Sequence, residues 1–293
     1  MTEGKESTEE GTSALEQGNG ASNSLPWWKR LWRWTEFGEK RGWEYLQLLG
    51  TLAIPVVIAL GTLWFTEQRA QDEALQGYLD QMSMLLLEDL RSDKVQVAMR
   101  ARTLTVLESL DDSRKKWVIR FLDEANLVQT LYTDAGNPRK PVVSLEGADL
   151  SGADLSDADL SGAKLMDANL SGATLSYVVF HGTDLFDADL PDATMFRSQL
   201  SGADLSYADL SDANLKQANL GGIGADLGGA CLYKTDLRGA DLEGASGITN
   251  EKLAERVSGS KFLEGATMPN GQKYEDWLKS QGRREDGENS GPS

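Results

Sequence analysis

The sequence predicts a mainly β solenoid that follows a transmembrane helix and a small α-helical connector. Two observations carry this prediction. Residues 141–245 repeat a five-residue unit such as SGADL, and residues 45–66 carry no charged side chain over a length sufficient to cross a bilayer. The whole chain of 293 residues has room for both parts.

The other segments are bounded by changes in composition. Residues 1–24 are rich in Gly, Ser, Thr and Glu, a composition that favours disorder because it buries too little apolar surface. The remaining predicted segments are a basic, Trp-rich interfacial segment at 25–44, the connector at 67–137, a C-terminal cap at 246–282 and a second disordered tail at 283–293.

Residues 45–66 predict a single membrane-spanning helix, so the lipid bilayer is an expected partner. About 20 helical residues at about 1.5 Å each cover the roughly 30 Å of hydrocarbon in a bilayer. Pro55 lies within the run, and proline is tolerated in such helices. A buried helix of a soluble domain is the alternative, but core helices rarely lack charge over this length.

The flanks of this run predict its orientation. Six of the eight tryptophans lie around it, as expected at a membrane interface, and Lys and Arg crowd its N-terminal side. The positive-inside rule then places the N-terminus in the cytoplasm and the repeats outside. Alternatively, the basic Trp-rich segment could lie flat on anionic lipid.

Residues 67–131 show apolar spacings of three and four that predict helices. Asp93 and Ser113 are the predicted N-caps of the second and third connector helices. The helices could form an internal bundle or a self-associating surface, so a homo-oligomer stays open. The predicted apolar stripe of the second helix comprises Val97, Ala101, Leu104 and Leu107.

The five-residue period decides the fold of residues 141–245. Twenty unit centres are all Leu except Phe180 and Met195, and Ala stands two residues earlier in fifteen of them. A helix would spread these leucines around its axis, and a flat strand would place successive ones on opposite faces. The chain must therefore turn once per unit, with Ala and Leu inside and Ser-Gly or Ser-Asp at the corner.

Units such as ADLSG, ADLSD and ANLSG resemble those of the pentapeptide-repeat family. The resemblance implies a right-handed quadrilateral β-helix with four repeats per turn, hence about five coils spaced about 4.8 Å apart. The segments GATMPNGQKY and ARTLTVLESLDDSRKKWVIRFLDEANLV also resemble those of bacterial pentapeptide-repeat proteins with an N-terminal membrane segment.

The repeat has one irregular step and a distinct end. From Leu220 to Leu227 the step is seven residues, which predicts an outward bulge made possible by the glycines within residues 221–224; a functional loop is the alternative. Beyond the repeats, Thr249 is the predicted N-cap of a capping helix, and solenoids need such caps to cover their last edge.

The composition gives little support to catalysis. Cys231 is the single cysteine, so no Cys-based metal site is expected. His181 is the single histidine and hence the one histidine that could partner a nucleophile, but a lone histidine at a repeat corner is more often structural. One Asp per unit explains the abundance of carboxylates, which we interpret as a solvated face. We predict no enzyme activity and no catalytic, cofactor or metal site.

The leading functional hypothesis is a membrane-anchored scaffold that binds a protein of unknown identity. Its basis is apolar side chains at outward corner positions, which suggest a docking patch. Met166 and Phe186 are twenty residues apart and would stack on one face, although burial beneath the connector is an alternative. The candidate contact residues are Met166, Phe186, Phe196, Tyr177, Tyr207 and Tyr233.

The alternative function is a DNA-mimicking regulator. Some pentapeptide-repeat proteins are thought to mimic DNA and bind DNA gyrase, a topoisomerase, and residues 141–245 contain 17 acidic against 5 basic residues, a net charge of −12. This negative surface argues against direct nucleic-acid binding. The predicted membrane helix counts against the gyrase hypothesis.

Overall fold

The computed structural model describes residues 39–132 and 138–282. The chain divides into two units, residues 1–64 and residues 65–293. The two predicted tails and most of the predicted interfacial segment at 25–44 lie outside the described residues.

The first helix, α1, runs Glu39–Leu85 and continues through Pro55. The predicted span at 45–66 lies within α1, but the side chains of residues 39–52 and 54 lie outside the description. Within the described part of the chain, no helix is long and apolar enough to cross a membrane. The membrane crossing therefore stays a prediction.

Two shorter helices follow, α2 over Asp93–Ser109 and α3 over Asp112–Glu124. They pack with the end of α1, where the Tyr78 hydroxyl lies 3.0 Å from the Thr103 hydroxyl and the Tyr78 ring meets Phe121 edge-on at 6.2 Å. The predicted stripe of α2 is wrong at Val97 and Ala101, which are exposed. The buried face of α2 comprises Met99, Thr103, Val106 and Leu107.

The predicted N-caps are wrong by one and two residues. Ser92 precedes α2, so that Asp93 is its first residue, and Asp111 caps α3 by accepting the backbone N–H of Arg114 at 3.0 Å. The Ser113 hydroxyl instead donates to the Asp111 carboxylate at 2.7 Å. A carboxylate two residues upstream therefore outcompetes the serine as the cap.

Residues 67–131 are not helical throughout, contrary to the prediction. After α3, strand β1 at Leu131–Tyr132 pairs antiparallel with β2 at Pro138–Arg139. The segment between α3 and β1 runs along the first coil, where the Thr130 N–H donates to the Ser161 carbonyl at 3.0 Å. The connector thus covers the N-terminal end of the solenoid.

The solenoid consists of coils joined by four ladders of parallel bridges. Asp149 pairs with Asn169, and the next three sides continue this pattern at 154, 159 and 164, each with a residue twenty positions later. A separation of twenty residues equals four repeats, so each coil has four sides. The bridges are single residues rather than long strands, because the chain turns a corner after each short extended piece.

The interior is built from the unit centres and the alanines that precede them. All the centres are buried, including Phe180 and Met195, which replace Leu. The residue before each centre points outward, and Thr183, which replaces Ala, satisfies its buried hydroxyl by donating to the Leu160 carbonyl at 2.7 Å. Ala158 is the exception among the repeat alanines, since it is only partly buried.

The bulge between Leu220 and Leu227 is confirmed. In the coils that precede the bulge, bridged residues are 20 positions apart in the sequence. Across the bulge, Asp204 pairs with Asp226, which is 22 positions later. Gly224 is required there, because a Cβ at this position would lie 2.0 Å from the Gly244 carbonyl oxygen. The two extra residues leave the ladder intact and only lengthen one corner.

The C-terminal cap contains α4 at Asn250–Arg256, a 3-10 helix at Ser260–Phe262 and α5 at Tyr274–Ser280. Thr249 is confirmed as the N-cap of α4, since its hydroxyl accepts the Lys252 N–H. Between the 3-10 helix and α5 the chain returns to the last coil, where the Leu242 N–H donates to the Thr267 carbonyl at 3.0 Å.

Candidate interaction surface

Each corner of the solenoid demands an unusual backbone conformation. The second residue after each centre has a positive φ, which Gly, Asn and Asp adopt more readily than other residues. Gly or Asp fills most of these positions. The exceptions are Tyr177, Arg197, Tyr207, Gln217 and Lys234, with φ between 56° and 64°. Large side chains thus stand where the backbone favours small ones.

Three predicted contact residues form one column along a corner of the solenoid. Met166, Phe186 and Tyr207 lie on three successive coils, and we call them the aromatic column. The Phe186 and Tyr207 rings are 5.4 Å apart at 58°, and the Tyr207 side chain is 63% exposed. On the next coil Gly229 leaves space for this ring, because a Cβ there would lie 2.8 Å from Tyr207 Cδ1.

Two other predicted residues form a second column. The Tyr177 and Phe196 rings meet edge-on at 5.7 Å, and the Arg197 guanidinium lies 5.0 Å from the Phe196 ring centre. The centres preceding Met166 and Tyr177 are two repeats apart, so the two columns occupy diagonally opposite corners. The predicted contact residues of the two columns therefore lie on separate surfaces.

Tyr233 lies on a third corner. The Tyr233 ring is exposed, and the Lys234 amino group lies 5.0 Å from the centre of this ring. It therefore does not extend either column.

The connector contacts the first coil rather than the exposed end of the aromatic column. Its contacts include the Arg100 guanidinium with the Glu146 carbonyl at 3.1 Å and the Lys115 amino group with the Ser151 carbonyl at 3.3 Å. Tyr207 lies three coils further along and is exposed. The connector therefore does not cover Tyr207.

The outward Asp and Asn residues have a structural role that the sequence analysis missed. The Asp154 carboxylate accepts the Ser156 hydroxyl at 2.7 Å and the Ser156 backbone N–H at 3.2 Å, and this arrangement recurs around the coils. These hydrogen bonds hold the pKa of Asp154 below its ordinary value, and the bond from the Ser156 hydroxyl has the larger effect. The spacing Asp-x-Ser is the signal that could have revealed it.

The single histidine and cysteine sit in polar surface contacts. His181 Nε2 lies 3.1 Å from the Gln199 side-chain oxygen, and Cys231 Sγ lies 3.1 Å from the Ser211 hydroxyl. Among the residues that the structure describes, no group of three or more His, Cys, Asp or Glu side chains could hold a metal ion.

Comparisons with known proteins bear on the repeats. The family model "Pentapeptide repeats" matches residues 143–172, 163–198, 197–222 and 223–246. No curated protein matches the chain.

Several solved structures are similar to part of the chain. A pentapeptide repeat protein from the Arabidopsis thaliana thylakoid lumen is 29% identical over 47% of this chain and 88% of that chain, with a TM-score of 0.33. Rfr23 from the cyanobacterium Cyanothece 51142 is 36% identical over 36% of this chain and 64% of that chain, less than two thirds of its length, with a TM-score of 0.26. QnrB1, a plasmid-mediated fluoroquinolone resistance protein, is 20% identical over 46% of this chain and 84% of that chain, with a TM-score of 0.22.

The family match and the ladder geometry agree. The matched residues are those whose bridges recur every four repeats, and the family implies the right-handed sense of the coil. Residues 143–246 are therefore similar to the repeats of the pentapeptide-repeat family.

Proposed function

We propose that this chain is a non-enzymatic interaction module that is anchored in a membrane by residues 45–66 and binds a partner protein through the aromatic column. Pentapeptide-repeat proteins are in general interaction modules without enzymatic activity. To this general role we add a specific binding surface, the aromatic column, and a membrane anchor at residues 45–66.

The choice of surface rests on the exposure and backbone conformation of Tyr207. It is a large apolar side chain, mostly exposed, at a backbone φ of +64° where Gly or Asp would be less strained. Such strain costs on the order of 1 kcal/mol and is typical of functional positions. An exposed aromatic side chain held at that cost is better explained by binding than by folding.

The surroundings of the aromatic column suggest the chemistry of the partner. Asp167 and Asp187 are exposed on the same corner, and Asp204 lies on the adjoining side. Apolar rings bordered by carboxylates favour a partner that presents an apolar side chain flanked by Lys or Arg.

The anchor is proposed from the composition and from the exposed apolar part of α1. These side chains are 55–66% exposed, a contiguous apolar surface that favours a covering of lipid or protein. We propose that the N-terminus is cytoplasmic and the repeats lie outside. The exposed apolar residues of α1 are Val56, Val57, Ile58, Leu60, Leu63, Trp64 and Phe65.

Protease protection tests the anchor and its orientation. Protease added to intact cells should digest the repeats while leaving an epitope tag at the N-terminus intact, and alkaline carbonate should not extract the chain from membranes. Full extraction by carbonate would overturn the anchor, and protected repeats would reverse the orientation.

Tyr207→Asp tests the aromatic column. Asp suits the backbone conformation, so the melting temperature should not fall, while loss of the ring should reduce the recovery of cross-linked partner by about tenfold or more, equivalent to about 1.4 kcal/mol. Tyr233→Asp is the matched control, because it removes an exposed tyrosine from another corner. Equal recovery from both variants would exclude this surface.

A gyrase-binding regulator is the second candidate, favoured by the net charge of −12 over residues 141–245. The full chain in detergent should then inhibit supercoiling by gyrase. The proposed location of the repeats outside the cytoplasm disfavours this function, and no inhibition by a folded preparation would exclude it.

A further inference from the structure

The ladders of the solenoid have a direction. The Thr174 N–H donates to the Ala153 carbonyl at 2.9 Å, and the Thr174 carbonyl accepts the Leu155 N–H at 2.8 Å. The outward residue of each side thus directs both of its backbone groups towards the preceding coil. Residues 154 and 159 hold the same positions in the first coil, where no coil precedes them.

At Asp159, side chains replace the missing strand. The Asp159 N–H donates to the Asp123 carboxylate at 3.2 Å, and the Asp159 carbonyl accepts the Gln129 side-chain amide at 2.9 Å. One donor and one acceptor are thereby satisfied as a neighbouring strand would satisfy them. This side of the first coil is closed.

At Asp154 the corresponding edge is open. Within the described residues, neither the N–H nor the C=O of Asp154 has a hydrogen-bond partner. The residue borders a cleft of about 500 Å³ between α3 and the first coil, which is also lined by Lys116, Trp117, Arg120, Asp157 and Ala158. Unpaired edge groups beside a cleft of this size can accept an added strand.

The walls of the cleft provide contacts for side chains. Trp117 is 48% exposed, although an indole of this size is usually buried more deeply in a helical connector. Ala158, the one repeat alanine that is only partly buried, lines the same cleft. An exposed indole and a small side chain in one cleft of this volume leave room for a short apolar group.

The charges of the cleft favour a basic residue in the occupant. Its lining includes two basic and four acidic side chains. Arg120 is already paired with Glu124 at 2.8 Å, whereas Asp157 is exposed at the corner. A Lys or Arg of an incoming strand would meet Asp157 and reduce the excess of negative charge.

We infer that this cleft is a second binding site, which accepts an extended segment of a partner protein as a short strand added at Asp154. The segment carries a small apolar side chain between Trp117 and Ala158 and a basic side chain near Asp157. This site lies on the first coil and does not depend on the aromatic column, so either proposal can fail without the other.

Asp154→Pro tests the added strand, with Asp154→Ala as the matched control. Both variants lose the carboxylate that caps Ser156, but only proline loses the N–H, which makes no internal bond. The probe is a displayed library of random peptides of about ten residues, selected on the full wild-type chain in detergent. Selected peptides should bind Asp154→Pro at least about tenfold more weakly and Asp154→Ala within about threefold of wild type.

Two outcomes would overturn the inference: no peptide enriched over a blank surface, or equal binding to the proline variant and the wild type. If Asp154→Pro unfolds, Trp117→Ala decides instead, because this exposed side chain can be removed without a cavity in the core. It should weaken the selected peptides at least about fivefold, and bound peptide should slow exchange of the Asp154 amide hydrogen. Unchanged affinity and exchange would contradict an added strand.

Discussion

The two ends of the solenoid are closed by different means. At the C-terminal end the returning chain supplies backbone groups, so that the Leu237 and Leu242 N–H groups donate to the carbonyls of Phe262 and Thr267. At the N-terminal end the side chains of Asp123 and Gln129 perform this role for a single residue. Backbone can continue a ladder along a whole side, whereas side chains close one position and leave its neighbour open.

The C-terminal closure should therefore contribute more to stability. It buries apolar side chains over the last coil as well as pairing its edge. The residues buried in this closure include Leu253, Val257, Leu263, Met268, Trp277 and Leu278.

The largest effect is expected from Leu253→Ala in α4. Leu253 is fully buried, so the substitution should lower the free energy of unfolding by about 2–5 kcal/mol and increase hydrogen exchange in the last coil. Urea unfolding measures the first and exchange mass spectrometry the second. Exposed Glu255→Ala is the control. A loss below about 1 kcal/mol would mean that the cap packs loosely.

Gln129→Ala should have a smaller effect at the other end. It removes the donor to the Asp159 carbonyl, so a loss of about 1–3 kcal/mol is expected, with faster exchange confined to the first coil. Gln129→Glu replaces the donor with a carboxylate beside the Asp123 carboxylate, so it should destabilise the protein at least as much as Ala. Exchange spreading to the last coil would show that the two ends are not independent.

Thr249→Ala should cost about 1 kcal/mol by removing the N-cap of α4. Thr249→Ser retains a hydroxyl and should restore most of that stability. Thermal unfolding of the pair measures the difference. An alanine variant as stable as the serine variant would mean that packing alone holds α4 in place.

The smallest effect is a difference in acid sensitivity between carboxylates of the N-terminal end. The pKa of Asp154 is lowered, so its contribution is present above 3.8 and is lost as the pH falls through the lowered value. Burial raises the pKa of Asp123, so its contribution is present below 3.8 and is lost as the pH rises through the raised value. In a plot of unfolding free energy against pH, Asp154→Asn should reduce the pH dependence below 3.8, and Asp123→Asn should reduce it above 3.8. Profiles identical to that of the wild type would contradict both pKa shifts.

The five-residue period identified the interior because burial at each unit centre leaves little choice of residue. It also placed Met166 and Phe186 on one face once four repeats per coil were assumed. The pairing of Phe186 with Tyr207, 21 residues later, required knowing that adjacent corner positions touch between coils. The open edge at Asp154 depends on how α3 meets the first coil, and no local pattern specifies that.

The connector was harder to interpret for a different reason. Its second helix has apolar residues on more than one face, and Thr103 can be buried because its hydroxyl donates to the Met99 carbonyl and meets Tyr78. A polar residue satisfied in this way defeats a search for apolar stripes. The Asp residues of the repeats were ambiguous as well, since the same side chain is both solvated and a cap.

Four repeats per coil also separate the length of the rod from the direction in which its surfaces point. Duplication of twenty residues would extend it while every corner kept its bearing, whereas gain or loss of a single unit would rotate everything downstream by a quarter of a revolution. The two additional residues before Leu227 avoid such a rotation, because they are looped out at a corner. Evolution can therefore vary reach by whole coils without reorienting what the protein displays.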